Sequence, residues 1–240
     1  MTLIATPLPL LSDNYAWVLQ SAGVTAIVDP AEAAPVIAWC RQHGVTPQKI
    51  LLTHHHDDHI AGVPELLAVY GCAVVGARAD AHRLPALDQA VEEGDFVEVG
   101  EAVARVIDTP GHTVGHICYH FADDRVLIAA DTLFTLGCGR VIEGTMAQMF
   151  ASLRKLAALP GATLVCSGHE YTLDNLKFAL SVEPGNEALQ EQGTRYRALR
   201  AEDRPTVPST IADELAANPF LRARDAAEFE KRRLAKNSFR

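Results

Sequence analysis

Residues 51–62 read LLTHHHDDHIAG, four histidines and two aspartates in six consecutive positions behind an apolar run. If residues 51–56 end an extended strand, side chains alternate, so His54 and His56 share a face and His55 points away. Asp58 and His59 follow after a turn, and Gly62 and Pro64 mark entry into a helix. Polar groups crowded at a strand end are costly to desolvate unless one partner satisfies them together. A divalent cation does so. His55 and Asp57 are expected to stand outside that cluster.

Three further stretches carry suitable donors: His112 in DTPGHTVGH (108–116), Asp131 in LIAADTLF (127–134) and His169 in LVCSGHEYT (164–172). Each lies behind a strand-like run, and strand ends converge along one edge of a sheet, where α/β sites sit. His54, His56, Asp58, His59, His112, Asp131 and His169 make seven ligands. An open catalytic site around one zinc-like ion takes about three protein ligands. Seven therefore suffice for two divalent ions that share a carboxylate. Imidazole and carboxylate donors suit zinc, iron or manganese alike, and zinc is the expectation. His116 reads equally as an orienting or a structural histidine, and Asp29 in IVDP (27–30) as a brace outside the site.

The elements that must position these groups alternate. Strand-like runs at 16–19, 25–28, 50–52, 73–75, 103–107, 126–128 and 163–166 are interleaved with helix-like stretches at 33–43, 64–70 and 147–159. That alternation predicts a layered α/β domain. Past about residue 170 strand signals vanish. Charged, Ala- and Leu-rich stretches follow at 173–181, 186–200, 211–216 and 222–236, broken by EPGN and EDRPTVPST. The expected division is a domain over 1–170 and a small helical domain over 171–240.

Composition narrows the partners. The 240 residues carry a net charge of -9, which argues against nucleic-acid or anionic-membrane binding. Five scattered cysteines without a CxxC pair fit a reduced compartment. MTLIATPLPLLSDNY lacks a basic start and its apolar run is broken by prolines, so no signal peptide is read. No apolar run reaches about 20 residues, so no membrane span is expected. A cytoplasmic monomer acting on a small molecule is the expectation.

THHHDDH, TPGHTVGH, the Asp-Thr-Leu-Phe segment and GHEYT resemble, in order, the motifs of the metallo-β-lactamase superfamily. Within it the chain resembles hydroxyacylglutathione hydrolase, glyoxalase II, in DTLFTLGCGRVIEGT (131–145), HEYTLDNLKFALSVEP (169–184) and RRLAKNSF (232–239). The resemblance covers nearly the whole chain. It implies an αββα sandwich followed by a helical glutathione-binding domain. It also implies hydrolysis of S-(2-hydroxyacyl)glutathione thioesters such as S-lactoylglutathione to glutathione and D-lactate, the second step of methylglyoxal detoxification. One metal would take His54, His56 and His112, and the other Asp58, His59 and His169, with Asp131 bridging and Asp58 also orienting the nucleophile. Glutathione would meet Arg140, Tyr171, Asn175, Arg233 and Lys236. Residue physics agrees: Tyr171 and Asn175, and Arg233 and Lys236, have helix-face spacing. Residues 222–240 also hold seven Arg or Lys against three acids. Persulfide dioxygenases share the His signature but use one iron, and the helical tail speaks against them. Two departures stand out: Ile142 replaces a usual aromatic, and Ala130 replaces a glycine common before the bridging aspartate.

Overall fold

In a computed structural model of the protein, describing residues 3–239, strand β2 (Asn14–Ser21) buries seven of its eight residues. Strands covered on both faces read as continuous apolar runs in this way. β2 lies second in a six-stranded sheet that also holds β1 (Ile4–Leu10), β3 (Val24–Val28), β4 (Lys49–Leu51), β5 (Ala73–Ala77) and β6 (Gln89–Val91), ordered β1 to β6. β1, β2 and β3 pair antiparallel, and β3 through β6 pair parallel. Parallel neighbours need crossover connections, and helices α1 (Ala33–His43) and α3 (Val63–Tyr70) supply two of them. Their apolar residues Val36, Ile37, Cys40, Val63 and Leu66 cluster with Ile27, Ile50 and Val74 of the sheet. Between β4 and α3 lies a single helical turn, α2 (Asp57–Ile60).

The described residues form two compact units. The first runs to Asp108 and resumes over Gly115–Leu127, and the second comprises Thr109–Val114 and the chain from Ile128 onward. The first also contains the antiparallel strands β7 (Phe96–Val99), β8 (Ala102–Asp108) and β9 (Ile117–Phe121). The Tyr119 hydroxyl donates to the Leu52 carbonyl at 2.8 Å and the Ile117 amide to the Thr53 carbonyl at 3.0 Å. β9 is thus fixed to the loop that carries the histidine cluster.

β10 (Val126–Ala130) crosses the division between units. The second unit holds its last three residues, the hairpin β11 (Leu133–Phe134) and β12 (Gly137–Cys138), strands β13 (Leu164–Ser167) and β14 (Ser209–Thr210), and five helices. These helices are α4 (Met146–Ala157), α5 (Thr172–Val182), α6 (Glu187–Ala201), α7 (Ile211–Ala217) and α8 (Ala226–Ser238). Leu176 and Ala179 of α5, Leu189 and Tyr196 of α6, Ala217 of α7 and Leu136 of the hairpin form one core cluster.

The structure departs from the sequence reading in several places. β1 was not expected, because Pro7 and Pro9 interrupt its pattern. It forms at the sheet edge, where proline is tolerated. β4 stops at Leu51, so His54 lies in a loop rather than a strand, and Asp57–Ile60 is helical where a turn was expected. One two-residue strand, β14, interrupts the helical tail by pairing with β13. Among the described residues, no helix is long and apolar enough to cross a membrane.

Tyr119 is fully buried, and its hydroxyl is the Leu52 carbonyl's partner. Tyr119→Phe is expected to lower unfolding free energy by about 1–2 kcal/mol, because a buried carbonyl loses its donor. Urea melts of both proteins measure this.

Candidate metal centre

The first unit gathers His54, His56, Asp58 and His59 at the end of β4. The ring of His54 lies 4.8 Å from His56 and 4.2 Å from His59, and His116 stacks on it at 4.9 Å. His55 turns instead to Asp80, its Nδ1 3.1 Å from Oδ2, with Arg83 on the other carboxylate oxygen. The expected split between His54 and His56 on one side and His55 on the other is therefore present, although it arises in a loop. Asp57 is exposed.

Asp29 organises this cluster. Its Oδ1 accepts from the Thr53 amide at 2.9 Å and its Oδ2 from the Thr53 hydroxyl at 2.6 Å. Because that hydroxyl gives its proton to Asp29, it accepts from His54 Nδ1, 3.0 Å away. His59 Nδ1 stands 3.1 Å from the same Asp29 oxygen. A carboxylate only accepts, so both histidines carry their proton on Nδ1 and present a lone pair at Nε2. Asp29 meets the proton-bearing nitrogens and is a positioning residue rather than a ligand. It is buried at the end of β3 with φ 47°, a conformation costly for a non-glycine residue. The brace expected of Asp29, outside the ligand set and directly behind the strand in IVDP, is present. Asn14, which no sequence signal singles out, donates to the Asp58 carbonyl at 2.9 Å and to its Oδ2 at 3.1 Å.

The second unit holds His112, Asp131 and His169 in loops after strands. Asp131 Oδ2 lies 3.3 Å from His112 Nε2 and 3.4 Å from His169 Nε2. His112 Nδ1 donates to the Arg140 carbonyl at 2.8 Å, which turns Nε2 toward the Asp131 carboxylate. Imidazole nitrogens and a carboxylate that converge in a buried place make a donor set suited to a cation. These donors fit a divalent metal, as do those of the first unit. Gly139 is required here, since a Cβ would run into the Asp131 carbonyl. Ala130 has φ 39°, which explains why glycine suits the position before the aspartate; the added methyl costs on the order of 1 kcal/mol.

Arg140, Tyr171, Asn175, Arg233 and Lys236 line one pocket of the second unit, about 230 Å³ in volume, with Phe134, Cys138 and Asp174. The Tyr171 ring stacks on His169 at 4.6 Å, so pocket and cluster share a wall. Asn175 donates to the Thr135 carbonyl at 3.1 Å, which leaves its oxygen as acceptor. Arg233 is buried, donates to the Cys138 carbonyl at 2.8 Å and lies over Phe220. Burial, and then the neighbouring Arg233 charge, lower the pKa of Lys236. Other tail cations face elsewhere: Arg222 and Arg232 pair with Glu183, and Arg224 with Glu228. Ile142 is exposed, and its amide donates to the His112 carbonyl at 3.3 Å.

Residues 11–169 match the metallo-beta-lactamase superfamily, and the chain belongs to it. Residues 170–239 match the hydroxyacylglutathione hydrolase C-terminus. Within the superfamily the chain is a member of the hydroxyacylglutathione hydrolase family. It is 51% identical over 232 residues to the hydroxyacylglutathione hydrolase of Rhodospirillum rubrum, covering 96% of this chain and 90% of the relative. Identity to that of Acidiphilium cryptum is 51% over 234 residues, covering 98% and 96%. Among solved structures, ETHE1 from Myxococcus xanthus is similar with a TM-score of 0.75 at 25% identity, covering 100% of this chain and 93% of that one. TTHA1623 in a di-iron-bound form gives a TM-score of 0.61 at 26% identity, covering 69% and 91%.

Asp29→Ala releases the protons of His54 and His59 from their fixed nitrogens. Loss of such an outer partner costs about 10- to 100-fold in metal affinity. Metal per chain after dialysis against a weak chelator is expected to fall accordingly, while far-UV circular dichroism keeps its native form.

Proposed function

We propose that the protein hydrolyses S-(2-hydroxyacyl)glutathione thioesters, S-lactoylglutathione first among them, to glutathione and a 2-hydroxy acid such as D-lactate. In this reading residues 1–170 supply the chemistry, and 171–240 together with Arg140 the glutathione site. The observation that carries it is the stack of Tyr171 on His169, which joins a cationic pocket to a histidine of the candidate metal cluster. The seven donors together hold two divalent ions, zinc first and iron or manganese with the same ligands. His54, His56 and His112 serve one, Asp58, His59 and His169 the other, and Asp131 both. The family resemblance and the donor chemistry of the two clusters support this assignment.

When bound, such a metal pair makes water nucleophilic near neutral pH and polarises the carbonyl. The chain does the rest. Asp58, its Oδ2 held by Asn14, orients the attacking water at the carbonyl carbon. Arg140, Arg233 and Lys236 take the carboxylates of glutathione, and Asn175 and Tyr171 its peptide portion. The leaving thiol has a pKa of about 8.5, so its thiolate departs without a dedicated acid.

The test is hydrolysis of S-lactoylglutathione beside other thioesters, on protein of measured metal content. Wild-type protein is expected to favour the glutathione thioester. Asp131→Ala is expected to lose at least about 100-fold in kcat and to bind less metal; normal turnover in that variant removes the bridging role. Arg233→Ala with Lys236→Ala is expected to raise KM far more than it lowers kcat. An unchanged KM takes both residues out of the site.

A further inference from the structure

The hairpin of β11 and β12 separates Asp131 from Arg140, and its walls Phe134 and Cys138 line the pocket. It has few backbone bonds of its own: two residues on each strand, joined through Leu136 with φ 57°. Side chains from the helices hold it instead. The Leu136 amide donates to Glu214 Oε2 at 2.8 Å. Asn218 Nδ2 reaches the Gly137 carbonyl at 2.9 Å, the Phe134 carbonyl at 3.3 Å and Glu214 Oε2 at 2.9 Å. Two further carbonyls of the hairpin, those of Thr135 and Cys138, receive the pocket residues Asn175 and Arg233.

Glu214 is fully buried. Burial raises its carboxyl to about 7, opposed by hydrogen bonds that include the Leu136 amide and Asn218. A desolvated carboxyl is a costly way to fill a core that apolar side chains fill elsewhere. The backbone geometry gives it a use, because an amide in the left-handed turn at Leu136 needs an acceptor that no strand supplies.

We infer that Glu214 is a positioning residue for the glutathione pocket: it fixes the hairpin turn, and through that turn the carbonyls that seat Asn175 and Arg233. The inference rests on the reading of this pocket as the glutathione site. It concerns a residue that touches neither substrate nor metal donors, so its signature is in KM.

Glu214→Leu, in the full chain with measured metal content, is expected to raise KM for S-lactoylglutathione about tenfold, with kcat within about twofold. The dissociation constant of S-methylglutathione should rise alike, and the Leu136 amide should lose hydrogen-exchange protection. Glu214→Gln keeps an acceptor oxygen and is expected to restore wild-type KM and protection. A folded Glu214→Leu protein with wild-type KM and S-methylglutathione affinity overturns the inference, as does a fall in kcat through lost metal. If that variant does not fold, Glu214→Asp, whose carboxyl is withdrawn by one methylene, should raise KM in the same direction; an unchanged KM there overturns it. Failure of the functional reading looks different. The wild-type protein would then neither bind S-methylglutathione nor cleave the thioester, while Glu214→Leu would still unprotect Leu136.

Discussion

A neutral imidazole offers a lone pair from one nitrogen only, and its other hydrogen bond decides which. In this protein that decision is made by a buried carboxylate at the end of the preceding strand. Asp29, at the end of β3, receives His59 directly and His54 through the Thr53 hydroxyl. The same carboxylate accepts the Thr53 amide, so it ties the end of β3 to the chain leaving β4. Parallel pairing of these strands sets the distance between the two ends. The open sheet is thus the frame on which one acid sets the proton positions of two rings. In the second unit a backbone carbonyl does the equivalent work for His112.

Two of the seven described non-glycine residues with left-handed backbone lie at these places. Asp29 and Ala130 both hold left-handed backbone where a strand gives way to a site loop. Such conformations persist only where surrounding hydrogen bonds over-determine them. Asp29 has three such contacts on its carboxylate, and Ala130 has its carbonyl held by the Gly168 amide at 3.1 Å. Sharp turns after strands aim side chains out from the sheet ends instead of back along the sheet.

Much of this was legible in the sequence. α1 matches the expected 33–43 in full, because its apolar spacing ends at a glycine that caps it in the left-handed region. The seven candidate donors fall into two clusters, and the five candidate glutathione residues line one pocket. What escaped follows from physics that a single sequence hides. β1 is disguised by prolines that only an edge position permits. Asn14 is a single polar residue whose meaning depends on what lies opposite it in space, whereas the bracing role of Asp29 was legible from IVDP. Of the cations of residues 222–240, Arg222, Arg224 and Arg232 pair with glutamates, whereas Arg233 and Lys236 line the pocket, a sorting that charge counting alone does not make.

All five cysteines are reduced and buried, including Cys138 in the wall of the pocket. Burial raises the thiols of Cys72, to about 11, and of Cys138, where the Arg233 charge partly opposes it. A thiol must ionise and be reached before it can exchange with a disulfide. Burial, together with the raised thiols of Cys72 and Cys138, therefore sets these sulfurs against exchange with any disulfide in solution, even where Cys138 stands in the wall of a pocket.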